Sequence, residues 1–212
     1  MKTTFKNFFL IDHPLVKKDI TVLRDKNTNS ETFRAAVTRI SNILAVEISK
    51  NFPLSEADVE TPLEITNGYH LAQEVVLVPV LRAGLGMVNG FLQIIPDAKV
   101  GHIGLERDEQ TLKPNHYYFK TPLSMPQSNV ILLDPMLATG GSSSAAINFL
   151  KKQGAKDFAF ACVLAAPEGV KRLDNDHPDV KIFGAALDRQ LNEKGYILPG
   201  LGDSGDRTFG TL

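Results

Sequence analysis

The chain has 212 residues, with no tryptophan and a single cysteine. One thiol, Cys162, excludes an intrachain disulfide framework and a cysteine-rich metal site. It lies in the apolar run Phe160–Leu164 and reads as a buried strand thiol. Neither sign of charge is in excess: 23 Lys and Arg stand against 24 Asp and Glu, a net charge of -1. That balance gives no support for bulk binding to DNA or RNA, and no nucleic-acid partner is expected. No apolar stretch reaches the length of a membrane span, so no membrane partner is expected either. Met1–Leu10 has neither a long apolar core nor a cleavage pattern, which makes a cytoplasmic protein the expectation. No internal repeat is evident. His102 and His116 lack metal-ligand spacing to each other or to the cysteine. G-x-G-x-x-G after an early strand is missing, as is G-x-x-x-x-G-K-[ST]. These absences argue against a nucleotide-cofactor oxidoreductase and a P-loop ATPase.

What the chain does have is centred on residues 130–144. Val130-Ile131-Leu132-Leu133 is an apolar run that ends in a carboxylate, Asp134. Pro135, Met136, Leu137 and Ala138 link it to Thr139-Gly140-Gly141-Ser142, and a helical pattern runs from Ala145 to Lys152. Strand, turn, helix is the reading. Gly140 and Gly141 permit tight backbone geometry that converges amide N–H groups on an anion, and the helix start adds its unpaired donors. Asp134 would then stand at the carboxyl end of a strand, where open α/β sheets bind ligands. The plainer alternative is a strand–turn–helix unit with a serine cap.

Elsewhere, residues 8–16 read as an arm or short extended segment with a turn at Asp12-His13-Pro14, followed by a polar stretch over 19–29. Ser30 is placed to cap a helix over 31–50, with Phe33, Val37, Ile40, Leu44 and Ile48 on one face. Arg34 and Arg39 read as solvated charges beside it. A strand over 59–66 is weakened by Pro62. Val75–Leu81 reads as a buried strand running into Arg82-Ala83-Gly84-Leu85, a second candidate anion site. For Arg82 a surface-loop arginine is the plainer alternative. Further strands are read at 98–105, 158–165 and 180–187, and 115–120 as a hairpin arm. The polar segment 106–128 is placed to cover a site. Alternation of apolar strands with helical patterns points to an α/β, doubly wound, mostly parallel sheet. After the last strand, the glycine-rich tail 196–207 is anchored by Ile197, Leu198, Leu201 and Phe209. Its backbone suits a small planar polar ring.

Three segments in this order resemble the uracil phosphoribosyltransferase family, a type I phosphoribosyltransferase family, over nearly the whole chain. Asp134-Pro135-Met136-Leu137-Ala138-Thr139-Gly140-Gly141-Ser142 is similar to that family's phosphoribosyl pyrophosphate motif. Pro135 replaces the second acidic residue of many related transferases. Arg82-Ala83-Gly84-Leu85 is similar to the pyrophosphate loop, and Tyr196–Asp203 to the uracil-reading tail. The resemblance implies one domain over 1–212, with a core at about 70–190. It also implies a small hood from about 1–30 and 190–212 and a β-arm. It implies transfer of the phosphoribosyl group of 5-phospho-alpha-D-ribose 1-diphosphate (PRPP) to N1 of uracil. The products are UMP and diphosphate, in pyrimidine salvage. Thr139–Ser142 would hold the 5-phosphate and Asp134 would face the ribose. Arg82 and Arg107 would bind the diphosphate. Asp203 would engage PRPP, and uracil would lie against Ile197 and Gly202, Asp203 and Ser204. Mg2+ would be held mainly through PRPP, with Asp203 reaching it through water. Implied partners are a second copy, as homodimer or higher homo-oligomer, and GTP as an allosteric activator. Glu106 before Arg107 and Ser204 depart from the commoner residues of the family. Two rivals remain: a nucleotide- or RNA-binding regulator on the same fold, and a transferase for another base.

Overall fold

The computed structural model describes residues 5–107 and 114–211, with side chains for 5–105 and 117–211. Short β1 (Phe8–Leu10) leads into α1 (Pro14–Arg24) and α2 (Ser30–Ser49). The predicted face of α2 is correct: Phe33, Val37, Ile40, Leu44 and Ile48 are all buried, each worth roughly 1.5–3 kcal/mol. Its cap is Asn29, whose side chain accepts from Thr32 N–H at 2.8 Å, and not Ser30 one residue on. Helix α1 replaces the expected extended and polar stretches. Pro14 starts it, a position where the missing N–H costs nothing, and Val16, Ile20 and Leu23 are buried at helical spacing.

Next come β2 (Leu54–Glu60) and β3 (Ile65–Leu71), an antiparallel hairpin separate from the main sheet. Pro62 sits in its turn, where Thr61 Oγ1 donates to Glu64 O at 2.8 Å. The single strand over 59–66 is therefore two strands flanking that turn.

The core follows: β4 (Val75–Leu81), α3 (Leu85–Ile94), β5 (Lys99–Val100), β6 (His102–Arg107) and β7 (Pro114–Lys120). Then come β8 (Asn129–Leu133), β9 (Met136–Leu137), α4 (Gly141–Lys152), β10 (Asp157–Ala165), α5 (Pro167–Asp176) and β11 (Lys181–Leu187). The chain closes with β12 (Gln190–Leu191), β13 (Ile197–Leu198) and α6 (Ser204–Phe209). The sheet runs β1-β11-β10-β8-β4-β6-β7, with β5 beside β4 and β9 beside β10. All its pairings are parallel except β6 with β7. The predicted segment 115–120 is thus β7, an edge strand, while the free arm is β2–β3.

Helices cover both faces, which is why the central strands read as continuous apolar runs. Leu77, Ile131 and Leu133 pack with α1, α2 and α3 residues; Val76, Val78 and Leu132 pack with α4 and α5 residues on the other face. Residues 8–10 extend the sheet at its edge beside β11. Among the described residues no helix is long and apolar enough to cross a membrane.

Candidate active site

β8 ends at Leu133, and the next residue emerges at the carboxyl edge of the sheet. This is Asp134. Its N–H donates to Ala161 O at 3.2 Å, and its Oδ1 accepts from Met136 N–H at 3.3 Å. The residue reaches a cleft, but dense surroundings strip water from the carboxylate. Desolvation pushes its carboxyl up to about 6, only partly opposed by the Met136 N–H. Behind it Cys162 is fully buried, and burial together with the Asp134 charge raises its thiol. The expected inert strand thiol is what is found.

The cleft measures about 510 Å³ and is lined by Ala83, Asp134, Met136 and Ala138 on one side. Tyr196, Ile197, Pro199, Gly202, Asp203 and Ser204 line the other. The end of the central strand and the glycine-rich tail, far apart in sequence, therefore share one cavity. Ile197 is buried, pairing through β13 with β12. Asp203 caps α6, its Oδ1 accepting from Asp206 N–H at 2.9 Å. Among the described residues its Oδ2 has no hydrogen-bond partner.

Beside the cleft, the 139–142 loop opens α4. Gly140 has φ of +73°, the left-handed region, and a Cβ there would meet Gly169 O at 3.0 Å. The first α-helical bond is Ser144 N–H to Gly140 O at 2.9 Å, so the preceding amides have no helical acceptor. Only Gly141 N–H is engaged, weakly, by Thr139 Oγ1 at 3.4 Å. These donors and the helix dipole form an anion cradle. The serine-capped alternative fails, since the cap is Gly140 without a side-chain bond. Pro135 and Leu137 are buried and serve through their carbonyls, which accept from Val163 and Leu164 N–H and from Ala166 N–H.

Arg82 follows β4 across a cis peptide bond with Leu81. Its guanidinium is more than half exposed and pairs with Asp206 Oδ1 of α6 at 3.2 Å. A tail carboxylate thus engages the cation that the sequence reading assigns to a diphosphate. Arg107 ends β6 opposite Pro114. Its side chain, that of Glu106 and residues 108–113 of the cover expected over 106–128 lie outside the described residues.

Four arginines are placed differently from, or were missing in, the sequence reading. Arg39 is not solvated: it makes a two-point bond to buried Asp19, at 2.9 and 2.6 Å, joining α1 to α2. Arg34 donates to Thr208 O at 2.9 Å, tying α2 to α6. Arg207 is buried, donates to the carbonyls of Leu23, Leu201 (2.7 Å) and Asp25 (2.6 Å), and lies 4.5 Å from the centroid of the Phe33 ring. Arg172 of α5 reaches the anion cradle: a Cβ on Gly141 would lie 3.3 Å from its Nη1. Arg34 and Arg39 carry no local signal, because their partners sit on other elements, whereas Arg172 also pairs with Asp176 of its own helix at 3.4 Å.

Among the described residues, no group of three or more His, Cys, Asp or Glu is placed to hold a metal ion. The two carboxylates that share the cleft, Asp134 and Asp203, are hard oxygen donors of the kind a magnesium–phosphate complex accepts.

Comparison with known proteins agrees with this geometry. The uracil phosphoribosyltransferase family model matches residues 10–211. A uracil phosphoribosyltransferase of Dictyoglomus thermophilum is 55% identical over 203 residues, covering 95% of this chain and 98% of the relative. The solved AQ2163 protein of Aquifex aeolicus superposes with a TM-score of 0.90 at 38% identity, covering 95% of this chain and 97% of that one. Adenine phosphoribosyltransferase of Trypanosoma brucei, solved with AMP, pyrophosphate and ribose-5-phosphate, has a TM-score of 0.59 at 14% identity. Its coverage is 91% of this chain and 88% of that one, a likeness of fold alone. With the family model spanning nearly the whole chain and the expected segments meeting around one cleft, this chain belongs to the uracil phosphoribosyltransferase family.

Proposed function

We propose that the chain catalyses transfer of the 5-phosphoribosyl group from PRPP to N1 of uracil in the cleft between Asp134 and the tail, giving UMP and diphosphate for pyrimidine salvage. The observation that carries this assignment is the shared cavity. A strand-end carboxylate and a glycine-rich backbone loop face one space of about 510 Å³, and the anion cradle of 139–142 directly follows Ala138 in its wall. Residues 139–142 receive the 5-phosphate on their free amides, with Arg172 adding charge at the rim. Uracil lies against Ile197, its polar edge on the backbone of 202–204, so that N1 points at the anomeric carbon. Orientation of this kind is a large share of catalysis. As the bond to diphosphate lengthens, the anomeric carbon gains positive character, and the Asp134 carboxylate stabilises it electrostatically. Arg82 and Arg107 take up the negative charge of the departing diphosphate, and Arg82 exchanges Asp206 for it. The uracil ring proton leaves late, so no strong base is required.

Mg2+ would be held mainly through PRPP itself, with Asp203 the carboxylate that would reach it through water, and the ion would supply charge neutralisation on the diphosphate. A second copy is the partner that fits the exposed β2–β3 arm, as homodimer or higher homo-oligomer. GTP is carried as an allosteric activator from the family resemblance alone. The test is a base panel with purified protein, PRPP and Mg2+. Uracil turnover is expected, with cytosine, thymine, adenine, guanine and hypoxanthine inert, loss of rate on chelating Mg2+, and a higher rate on adding GTP. Turnover of a purine would overturn the reading of 196–204. No turnover of any base, with tight RNA or nucleotide binding, would place the chain among regulators.

A further inference from the structure

Gly200 is the pivot of the tail. Its φ is +71°, and a Cβ there would sit 2.2 Å from Ile197 O, so the loop turns back on itself at this residue. Ile197 lies three residues before it and Gly202 two residues after, both in the wall of the cleft. Both backbone polar groups of Gly200 are held, and by one pair of side chains. Asp188 Oδ2 accepts from Gly200 N–H at 2.8 Å. Arg24 Nη1 donates to Gly200 O at 2.9 Å. The two side chains also lock each other: Arg24 Nη1 donates to Asp188 Oδ2 at 2.9 Å and Nη2 to Oδ1 at 2.5 Å.

The setting makes this pair stiff. The Asp188 side chain is only 4% exposed and that of Arg24 28%. Asp188 directly follows β11, and its own N–H is fixed to Ala165 O at 2.8 Å. Arg24 is the last residue of α1, where a cation is favoured by the helix dipole. A forked guanidinium on a carboxylate fixes direction as well as distance. The next peptide is held from the same corner, since Arg207 bridges Leu201 O to the carbonyls of Leu23 and Asp25. Neither Arg24 nor Asp188 lines the cleft. They act on it through Gly200.

We propose that Arg24 and Asp188 are positioning residues that set the uracil site, by fixing Gly200 and hence the backbone donors and acceptors of 202–204. This rests on the assignment of 197–204 as the base site. Among the described residues no hydrogen bond joins the pair to the 139–142 loop, so breaking the pair leaves the 5-phosphate cradle in place and acts on the tail, on the base first and on PRPP only through Asp203.

The test compares Asp188→Asn, Arg24→Gln and Arg24→Lys with wild type, measuring KM for uracil, KM for PRPP, kcat and melting temperature. Asp188→Asn and Arg24→Gln are expected to raise KM for uracil by roughly ten- to a hundredfold, and KM for PRPP, which the tail meets only through Asp203, by roughly tenfold less than that. Arg24→Lys keeps the charge but loses the fork, and is expected to fall between them and wild type. Should the first two variants fail to fold, Arg24→Lys alone decides. An unchanged KM for uracil in any folded variant would overturn the proposal, as would an equal rise in both KM values. A lower melting temperature with wild-type kinetics would reduce the pair to a structural pin, and overturn it too. Failure of wild type to use uracil would refute the base-site assignment and leave a different signature.

Discussion

Asp134 has to be charged in a place that resists charge. Its carboxyl sits at about 6 in the folded chain against 3.8 in free form, because burial removes water from the ionised group. The sign of the linkage follows. Between those two values the folded protein binds the proton more tightly than the unfolded chain, so stability falls as pH rises through the window. Below 3.8 the penalty is absent, and above about 6 it is fully present, at roughly 2–3 kcal/mol. Asp134→Asn is therefore expected to melt at a higher temperature than wild type at pH 8. At the same time its kcat is expected to fall by roughly a hundred- to a thousandfold. The acid limb of wild-type kcat/KM, with its midpoint near 6, is expected to vanish in the variant. Thermal melts and pH–rate profiles check both parts, and an acid limb that persisted in the variant would show that another group titrates. On the proposed mechanism, stability given up at Asp134 is the cost of keeping a carboxylate beside the anomeric carbon.

Among the elements, the β2–β3 hairpin is the one that its own chain leaves bare. Leu63 is 95% exposed, Ile65 70% and Tyr69 61%, and among the described residues the arm pairs with no other strand. A two-stranded hairpin on its own is marginal in water, so an apolar arm of this length needs a surface to lie on. If that surface is a second copy, Leu63→Lys with Ile65→Lys is expected to halve the mass seen in sedimentation while the fold survives. An unchanged mass would remove the arm from the interface. The arm also shows where sequence reading lost resolution. Pro62 was a reason to doubt a strand over 59–66, whereas it occupies the turn between two strands. Helix α1 was lost for a similar reason: Asp12-His13-Pro14 is a turn signal and a helix start at once, and the polar side of α1 hid the spacing of Val16, Ile20 and Leu23. By contrast β4, β8 and β10 were legible because strands buried on both faces admit only apolar residues. Asp134, Thr139–Ser142 and the tail were legible because their chemistry is local. Arg24 with Asp188 was not: 164 residues separate them, and only the folded chain brings α1 under the tail.

At the scale of the molecule, the sheet delivers its active residues to one edge. Arg82 directly follows β4, Asp134 follows β8 and Asp188 follows β11, all at carboxyl ends of neighbouring or near-neighbouring parallel strands. The tail then crosses that edge and is held down by arginines from α1, α2 and α6. On the proposed function, phosphate chemistry belongs to the sheet and base recognition to the tail, and the two parts meet in the cleft. A structure of the protein soaked with UMP and diphosphate tests that division most directly. The expected result places the 5-phosphate on the amides of 140–142 and the uracil ring against Ile197, with its polar edge on the backbone of 202–204. Diphosphate is expected at Arg82, with Asp206 released. A nucleotide bound with its phosphate away from α4, or with its base outside the 197–204 loop, would contradict it.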